Sequence, residues 1–354
     1  MCWSGGSFFT ASFRFYTCDP VSFRLSFANP SVLASIHRMR VPSREHGLFE
    51  ARVSRRRILC PDHFEIRFVV DDYPEAQPGQ FLQIRCHHAS FSKSIPTDDS
   101  HDCRSFSSKE TNRVTTRPSI LRRPFSIAGL SRTGNRSEID IIGRVVGTGT
   151  SWLNALSPGA RVSILGPLGN GFTIPPKHHS ALLIAGGVGL PPIRWWGEVL
   201  RKRTISCTSI YGVKQRQDLP VTLISEPSAT GEYTHCIEEF ARHGISSAIT
   251  TDDGSCGMQG NVADCMLRHI THLNDAGGLC VYACGPQPML RRVSEVCIDR
   301  GIFCELAMER VMACGMGTCQ SCVVRLGHER DESGWRYALC CRDGPVFEAQ
   351  QVVW

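Results

Sequence analysis

The carboxyl-terminal part of the chain carries cysteines at a spacing that suits metal ligation. Cys314, Cys319 and Cys322 form a C-x4-C-x2-C run, and the adjacent Cys340 and Cys341 follow after a gap. Three thiolates close together and one distant partner are typical of plant-type iron-sulfur ligation. The spacing therefore predicts a 2Fe-2S cluster at this end of the chain.

Two glycines, Gly315 and Gly317, lie inside this run and would let the main chain wrap closely, with its amides directed at sulfur. A zinc site and a chance clustering of thiols are the alternatives, although zinc sites more often pair their cysteines as C-x2-C. Neighbouring residues of an extended segment point in opposite directions. Only one of Cys340 and Cys341 should therefore be a ligand, and the spacing leaves that choice open.

A second candidate site is the run Arg123-Pro124-Phe125-Ser126, at the start of a predicted strand. A guanidinium group can clamp a diphosphate, a proline keeps a strand edge free of a donor, and a serine hydroxyl can bond a flavin ring nitrogen. An ordinary edge strand with an exposed arginine would explain the same four residues. The run alone therefore indicates a flavin site only weakly.

The glycine-rich turn at residues 144 to 151 adds weight to that interpretation. It leads into a predicted short helix at residues 152 to 156, with Thr150 or Ser151 as its cap. Free amides at a helix start bind phosphate. The turn and the arginine together predict a diphosphate site.

Two motifs in the second half of the chain follow predicted strands. The run A-G-G-V-G-L-P-P at residues 185–192 reads as a strand end, a glycine turn and a helix with proline in its first turn, but it is not the full G-x-G-x-x-G fingerprint. The run C-G-P-Q-P-M at residues 284–289 closes a later strand and opens a helix. Ligands of parallel sheets bind at such strand ends. A packed core thiol is the alternative interpretation of Cys284.

The elements that must position these residues change character along the chain. Short alternating strands broken by Gly and Pro, as at residues 64–70, 81–85 and 139–142, predict an antiparallel β-barrel between residues 48 and 172. From residue 180, apolar runs alternate with helical stretches, which predicts a doubly wound parallel sheet. Its predicted strands are residues 181–185, 206–211, 221–224, 247–250 and 279–283.

A chain of 354 residues is longer than one hydrophobic core usually holds, so we expect a multidomain protein of the α+β and α/β classes. The predicted segments are an N-terminal extension expected to be disordered (residues 1–38), a β-barrel that holds the candidate flavin site, with a polar insertion at 87–116 (residues 39–175), an α/β domain that holds the two strand-end motifs (residues 176–303) and a small 2Fe-2S cluster module (residues 304–354).

Composition excludes several classes of function. The 39 basic residues are balanced by 33 acidic ones, and no basic stripe indicates nucleic-acid binding. No apolar run reaches the length of a membrane-spanning helix. The 18 cysteines lack the framework of a disulfide-stapled secreted domain, which favours a reducing, cytoplasmic location. No Ser/His/Asp set or carboxylate pair indicates hydrolysis.

The order of the motifs resembles the ferredoxin-NADP reductase superfamily over nearly everything after residue 39. R-P-F-S, G-P-L-G-N-G-F (residues 166–172), A-G-G-V-G-L-P-P, T-D-D-G-S (residues 251–255) and C-G-P-Q-P-M follow one another. M-E-R-V-M-A-C-G (residues 308–315) and C-R-D-G-P-V-F (residues 341–347) resemble more specifically the electron-transfer subunit of type 1B dihydroorotate dehydrogenase.

The resemblance implies roles for particular residues. FAD would be bound by Arg123, Pro124, Phe125, Ser126, Ile142, Gly143, Arg144, Gly149 and Thr150. NAD would face Gly186, Gly187, Gly189, Cys284, Gly285 and Pro286. The last cluster ligand of the family directly precedes the run ending in D-G-P-V-F, so the ligands would be Cys314, Cys319, Cys322 and Cys341.

The resemblance also implies a function in pyrimidine biosynthesis. Electrons would pass from dihydroorotate to the FMN of a separate catalytic subunit, then through the 2Fe-2S cluster and FAD of this chain to NAD. The expected assembly is a heterotetramer of two plus two subunits, without nucleic acid or membrane. No catalytic residue for dihydroorotate is expected here. The insertion, the N-terminal extension, the long gap before Cys341 and the cysteine doublet depart from the family pattern.

Two other functions are compatible with the layout. The small subunit of a ferredoxin-dependent NADP transhydrogenase or sulfide dehydrogenase shares it, but in the related motif we expect Asp at the position of Cys314 and D-G-P-E-F rather than D-G-P-V-F. A non-catalytic relic that keeps only the fold is the second alternative. Flavin and cluster motifs that are intact weigh against it.

Overall fold

The computed structural model describes residues 46–86, 121–176, 178–271, 278–327 and 333–354. All of them belong to one unit, Pro42–Trp354. The predicted N-terminal extension, residues 1–38, and the predicted insertion, residues 87–116, lie outside the described residues. Among the helices that the structure does describe, none is long and apolar enough to cross a membrane.

Six strands in the first half close an antiparallel barrel, as the alternating sequence predicts. They are β1 (Gly47–Cys60), β2 (His63–Asp71), β3 (Phe81–Ile84), β4 (Arg123–Thr133), β5 (Arg136–Arg144) and β6 (Arg161–Leu168). The order around the barrel is β1-β2-β5-β4-β3-β6. Large apolar side chains of alternate positions, such as Ile139 and Ile141, fill its interior. One short helix, α1 (Thr148–Asn154), joins β5 to β6.

The second half forms a seven-stranded sheet flanked by helices. Its strands are β7 (Ser180–Gly186), β8 (Ser206–Val213), β9 (Ser246–Thr251), β10 (Met258–Gln259), β11 (Leu279–Cys284), β12 (Phe303–Ala307) and β15 (Val346–Glu348). The helices are α2 (Leu190–Lys202), α3 (Glu238–Ala241), α4 (Val262–Thr271) and α5 (Gln287–Asp299). The strand order is β10-β9-β8-β7-β11-β12-β15. All neighbours are parallel except β15, which runs antiparallel to β12.

The carboxyl-terminal residues supply a separate hairpin and the edge of the sheet. The hairpin consists of β13 (Val323–Gly327) and β14 (Trp335–Leu339). Because β15 pairs with β12, the segment that follows Cys341 is part of the same sheet as the parallel strands. The predicted domain limits stay predictions.

Two local predictions are wrong. Residues 221–224 do not form a strand of the sheet: Leu223 makes only an isolated bridge to Ile237. The main chain here bonds to residues 236–238 instead of to the sheet, with Ile224 N donating to Cys236 O and Glu238 N to Thr222 O, and the carboxylate of Glu239 accepts hydrogen bonds from the amide and hydroxyl of Thr222. The helix predicted at residues 152–156 begins earlier, at Thr148, with Gly147 as its N-cap.

A buried ion pair joins the barrel to the sheet layer. Arg194 of α2 donates from Nη1 to Glu65 Oε1 of β2 over 2.9 Å, and its Nε and Nη2 donate to Ala128 O of β4 over 3.3 Å. Both side chains of the ion pair are less than a tenth exposed. Glu65 Oε2 also pairs with Arg55 and Arg57, so Arg194 is one of three guanidinium groups around this buried carboxylate. The bonds of Arg194 to Glu65 and to Ala128 fix α2 against β2 and against β4, the strand that carries the R-P-F-S run.

Candidate functional site

The loop of residues 313–322, called the cluster loop below, folds around the first cysteine of the C-x4-C-x2-C run. Cys314 Sγ accepts hydrogen bonds from Met316 N over 3.5 Å and from Cys319 N over 3.3 Å. Gly315 and Gly317 adopt φ angles of 73° and 92°, a region that favours glycine. The sequence prediction that these glycines let the main chain wrap closely is therefore confirmed.

A second pair of thiols forms where the segment after β14 returns to the cluster loop. Cys341 N donates to Cys322 Sγ over 3.4 Å. Burial raises the pKa of the Cys341 thiol to about 12, with the Cys322 thiol in hydrogen-bond reach as the next cause. Cys340 points the other way: its buried thiol donates to Met308 O over 3.2 Å. The two neighbouring cysteines thus face different surroundings, although they lie in the turn after β14 and not in the extended segment that the sequence suggested.

The two pairs differ in exposure. Cys319 is exposed, and its pKa is lowered to about 6, first by the Ser321 hydroxyl, which lies 3.2 Å from its Sγ, and then by the neighbouring Cys314. In the part of the chain that the structure describes, no three His, Cys, Asp or Glu side chains converge on one ion position. Thiols arranged as two pairs suit two metal ions better than one, so the donor set fits a 2Fe-2S cluster more closely than a single zinc ion.

The R-P-F-S run begins β4 and places its arginine beside α1. The Arg123 side chain is exposed, and its Cγ and Nε lie 3.3 and 3.4 Å from the point where a Cβ on Gly149 would be. Pro124 and Ser126 are half-buried on the outer face of the strand. Phe125 points inward and packs in the barrel core. An exposed guanidinium against a glycine at a helix start leaves room for an anionic group such as a diphosphate.

The turn before α1 is held by a threonine. Thr150 Oγ1 accepts hydrogen bonds from Val146 N and Gly147 N over 2.9 and 3.2 Å, and it donates to Gly147 O over 3.0 Å. The hydroxyl is thus occupied within the turn, so main-chain amides and Arg123 are the groups left to bind an anion. The turn follows Ile142, Gly143 and Arg144 at the end of β5.

The two strand-end motifs of the sheet meet in a crevice. Parallel strands β7 and β11 are neighbours, and the strand order reverses between them. A Cβ on Gly189 would overlap the main-chain carbonyl of Cys284 and lie 2.7 Å from Gly285 N, and Gly186 Cα is 3.1 Å from the Cβ position of Gly285. Bare main chain on both sides at a topological switch point is the usual setting of a nucleotide site.

Cys284 lies at this crevice, and its thiol is partly exposed. Burial raises the pKa of the Cys284 thiol well above its ordinary value, and the carboxylate of Glu309 adds to the rise. The side chain therefore stays neutral at physiological pH. It offers a small polarisable surface next to Gly285 and Pro286, without a charge.

The strands that carry the candidate flavin site, β4 and β5, are called the flavin strands below. Of these, β5 contacts the nucleotide crevice, and the neighbouring strand β3 contacts the cluster loop. The turn Gly187–Gly189 lies against β5. Across the barrel, Gln83 of β3 pairs with Pro124 and donates from Nε2 to Ala313 O of the cluster loop over 3.4 Å. Sequence reasoning missed Gln83 and Arg194, because a single polar residue in an apolar run has no local signal. For Gln83, the one available signal was its position between Leu82 and Ile84, two apolar residues that the alternation of a strand places on the inner face.

Family models match two parts of the chain. Residues 309–353 match the model described as the iron-sulfur cluster binding domain of dihydroorotate dehydrogenase B. Residues 183–295 match the model described as the oxidoreductase NAD-binding domain. These two matches cover the cluster loop, the cysteine doublet and both motifs of the crevice.

Similar proteins span nearly the whole chain. The dihydroorotate dehydrogenase B (NAD(+)) electron transfer subunit of Desulforamulus reducens is 30% identical over 308 residues, which is 87% of this chain and 98% of that protein. The protein of the same name from Streptococcus mutans is 31% identical over 85% of this chain and 96% of its own length. The one from Geobacillus kaustophilus is 36% identical over 66% of this chain and 80% of its own length.

Solved structures share the fold. The NADH-dependent reduced ferredoxin-NADP oxidoreductase, a structure concerned with flavin-based electron bifurcation, superposes with a TM-score of 0.62 at 23% identity, over 86% of this chain and 90% of that chain. The ferredoxin reductase in carbazole 1,9a-dioxygenase gives a TM-score of 0.51 at 18% identity, over 74% of this chain and 68% of that chain. Both support a barrel joined to a doubly wound sheet.

Proposed function

Because the chain belongs to the family of electron transfer subunits of NAD-dependent dihydroorotate dehydrogenase B, we propose that it passes electrons from a partner that oxidises dihydroorotate to NAD, in pyrimidine biosynthesis. The observation that carries this proposal is the arrangement of four thiols as two pairs beside the flavin strand. The partner is a separate FMN-containing catalytic subunit, in an assembly of two plus two.

The 2Fe-2S cluster is held by Cys314 and Cys319 on one side and by Cys322 and Cys341 on the other. Support comes from the pairing of the thiols and from the family model that matches residues 309–353. Cys340 is not a ligand, because its thiol is already bonded to a main-chain oxygen on the opposite side. Cys314 further favours this function over the transhydrogenase alternative, for which Asp is expected at that position.

FAD lies along the outer face of β4. Arg123 and the first amides of α1, among them those of Gly149 and Thr150, would bind its diphosphate, and Pro124 and Ser126 would line the ring. Phe125 is buried in the barrel core and Ile142 is buried on the other face of β5, in the core of the sheet layer, so both would support the site by packing rather than through contact with the flavin. Gly143 and Arg144 complete the site at the end of β5.

NAD binds in the crevice between β7 and β11. Gly186, Gly187 and Gly189 let the coenzyme approach the main chain, and Cys284, Gly285 and Pro286 face it from the other wall. The neutral thiol of Cys284 would add uncharged surface to this wall of the site. The neighbouring β5 brings the flavin strands to the same crevice.

The three cofactors divide the chemistry, since NAD accepts a hydride, an iron-sulfur cluster carries single electrons and a flavin exchanges both. The residues of this chain place them and set their surroundings. Arg194 and Glu65 hold α2, and with it the glycine turn, against the barrel. The cluster loop meets the barrel through Gln83, which donates to Ala313 O, and the segment that follows Cys341 joins the sheet where β15 pairs with β12.

We propose a cytoplasmic location, which the thiol chemistry supports. Every cysteine of the described residues is a free thiol. Structural disulfides are rare where glutathione and thioredoxin keep thiols reduced, and a cluster with an exposed ligand such as Cys319 needs such surroundings. Fractionation of cells followed by detection of the chain tests this part of the proposal.

Anaerobic purification tests the assignment as a whole. The chain should contain FAD together with iron and acid-labile sulfide in equal amounts, and it should copurify with an FMN-containing partner. The complex should reduce NAD with dihydroorotate, whereas the chain alone should only exchange electrons with NADH and dyes. Stoichiometric zinc without sulfide, or a colourless protein, would refute the proposed cofactors.

A further inference from the structure

Gln83 occupies an unusual position for a polar residue. Its neighbours Leu82 and Ile84 fill the barrel interior, so its own side chain points outward from β3. On that face it lies opposite Pro124 of β4, and directly opposed residues of two strands share one face. The side chain is nevertheless completely buried, with 0% exposure. Another part of the chain must therefore cover it.

The cluster loop is that cover. Gln83 Nε2 donates to Ala313 O, and a Cβ on Gly315 would lie 2.6 Å from Gln83 Cδ and 2.9 Å from its Oε1. Gly315 thus has no room for a side chain, in addition to its positive φ angle. The carboxamide fills the space between the flavin strand and the residue that follows the first proposed cluster ligand.

The carboxamide is only partly satisfied. Gln83 Oε1 has no hydrogen-bond partner among the described residues. A buried acceptor without a partner destabilises the fold, and an apolar side chain of the same length would avoid that penalty. Buried unsatisfied groups occur where something other than stability requires them. Gln83 lies beside Pro124 of the candidate flavin site and bonds to Ala313 of the cluster loop, so the requirement concerns these two sites.

We propose that Gln83 is a positioning residue for electron transfer between the flavin and the cluster. Its bond to Ala313 O fixes the cluster loop against β3, next to the strand that lines the flavin. The dipole of its carboxamide group lies between the candidate flavin site and the cluster loop. This inference rests on the proposed function, since without a cluster Gln83 would only pack the interface.

The consequence concerns the transfer and not the binding of either cofactor. The bond to Ala313 O contributes about 0.5–1.5 kcal/mol to holding the cluster loop against β3, so its loss lowers the population of the held position by about two- to tenfold. NADH should still reduce FAD at the normal rate, because the nucleotide crevice lies on the sheet side of the barrel. Electron passage from FAD to the cluster should become about two- to tenfold slower.

The test uses the full-length holoprotein and the substitution Gln83→Met, which keeps the length of the side chain and removes both polar atoms. Stopped-flow mixing with NADH measures flavin reduction and cluster reduction at separate wavelengths, and electron paramagnetic resonance records the signal of the reduced cluster. Ser137→Ala is the matched control, because Ser137 is another fully buried barrel residue whose oxygen has no partner.

Gln83→Met should retain FAD, iron and the rate of flavin reduction, while cluster reduction slows and the resonance line shape changes. Ser137→Ala should leave all five unchanged. A Gln83→Met protein with normal cluster kinetics and an unchanged signal would overturn the inference. A wild-type chain without any cluster signal would instead refute the proposed function, so the two failures are distinguishable.

A second variant keeps the test decisive if Gln83→Met does not fold. Gln83→Glu preserves the shape, and when ionised it has no donor for Ala313 O. A protonated carboxyl group regains one donor. Cluster reduction in Gln83→Glu should therefore be slow at high pH and recover as the pH falls, relative to wild type under the same conditions. A pH profile identical to that of wild type would contradict the proposed position of Gln83.

Discussion

Asn170 holds Val346 through both edges of its side-chain amide: Val346 N donates to Asn170 Oδ1 over 2.9 Å, and Asn170 Nδ2 donates to Val346 O over 3.2 Å. The same Nδ2 also donates to Asp343 O over 2.9 Å. The run G-P-L-G-N-G-F, at the end of the barrel, is thus bonded directly to the run D-G-P-V-F that follows Cys341.

Asn170→Ala should therefore loosen the cluster and leave the flavin in place. Loss of these bonds should cost about 1–2 kcal/mol in holding the segment after Cys341, or about a five- to thirtyfold faster loss of iron to a chelator. Iron release followed by absorbance measures it, with FAD content recorded in parallel. Asn135→Ala, in the exposed turn between β4 and β5, is the control and should behave as wild type. Equal iron release from both variants would contradict the anchoring role.

Arg123→Ala should weaken FAD binding more than it weakens the fold. A charge-assisted contact to a diphosphate contributes about 1.5–3 kcal/mol, which is about ten- to a hundredfold in affinity. Arg123→Lys should recover only part of the loss, because an ammonium group lacks the planar fork of the guanidinium. Fluorescence titration of the apoprotein with FAD gives the dissociation constants. Arg136→Ala, at the opposite end of the barrel strands, should have no effect; unchanged FAD affinity in Arg123→Ala would show that the run is structural.

Gly189→Ala should impair coenzyme use and spare the flavin. Gly189 has ordinary backbone angles, φ −76° and ψ −3°, so the substitution acts through its methyl group, which would overlap Cys284 O. The crevice must open, and KM for NADH should rise at least tenfold while FAD content stays normal. Gly134→Asn is the matched control, since Gly134 has a φ of 61° that Asn tolerates and has no atom within 4 Å of its Cβ position. An unchanged KM for NADH would argue against a coenzyme site in this crevice.

The sequence was most informative where chemistry depends on local spacing. The C-x4-C-x2-C run, the barrel strands and the parallel sheet are all local patterns, and the structure contains them. The geometry that joins distant segments was not predictable: Gln83 meets Ala313 across 230 residues, and Arg194 meets Glu65 across 129. The strand predicted at residues 221–224 is wrong for the same reason. Their apolar pattern carries no information about the carboxylate of Glu239, which accepts a hydrogen bond from Thr222.

The cysteine doublet gives the most direct test of the central claim that this chain carries a 2Fe-2S cluster between a partner and its own FAD. Cys341 lies with Cys322, and Cys340 is bonded to Met308 O on the other side. Cys341→Ser and Cys340→Ser are therefore matched variants of adjacent, buried thiols that should differ in outcome.

The deciding measurement is the iron, the acid-labile sulfide and the resonance signal of the reduced cluster in the two variants, purified anaerobically with the partner. Cys341→Ser should lose or grossly alter the cluster and fail to couple dihydroorotate oxidation to NAD, while NADH still reduces a two-electron dye through FAD. Cys340→Ser should keep the cluster and the coupling. Loss of the cluster in Cys340→Ser with retention in Cys341→Ser would contradict the ligand assignment, and full retention of cluster and coupling in both would contradict the account as a whole.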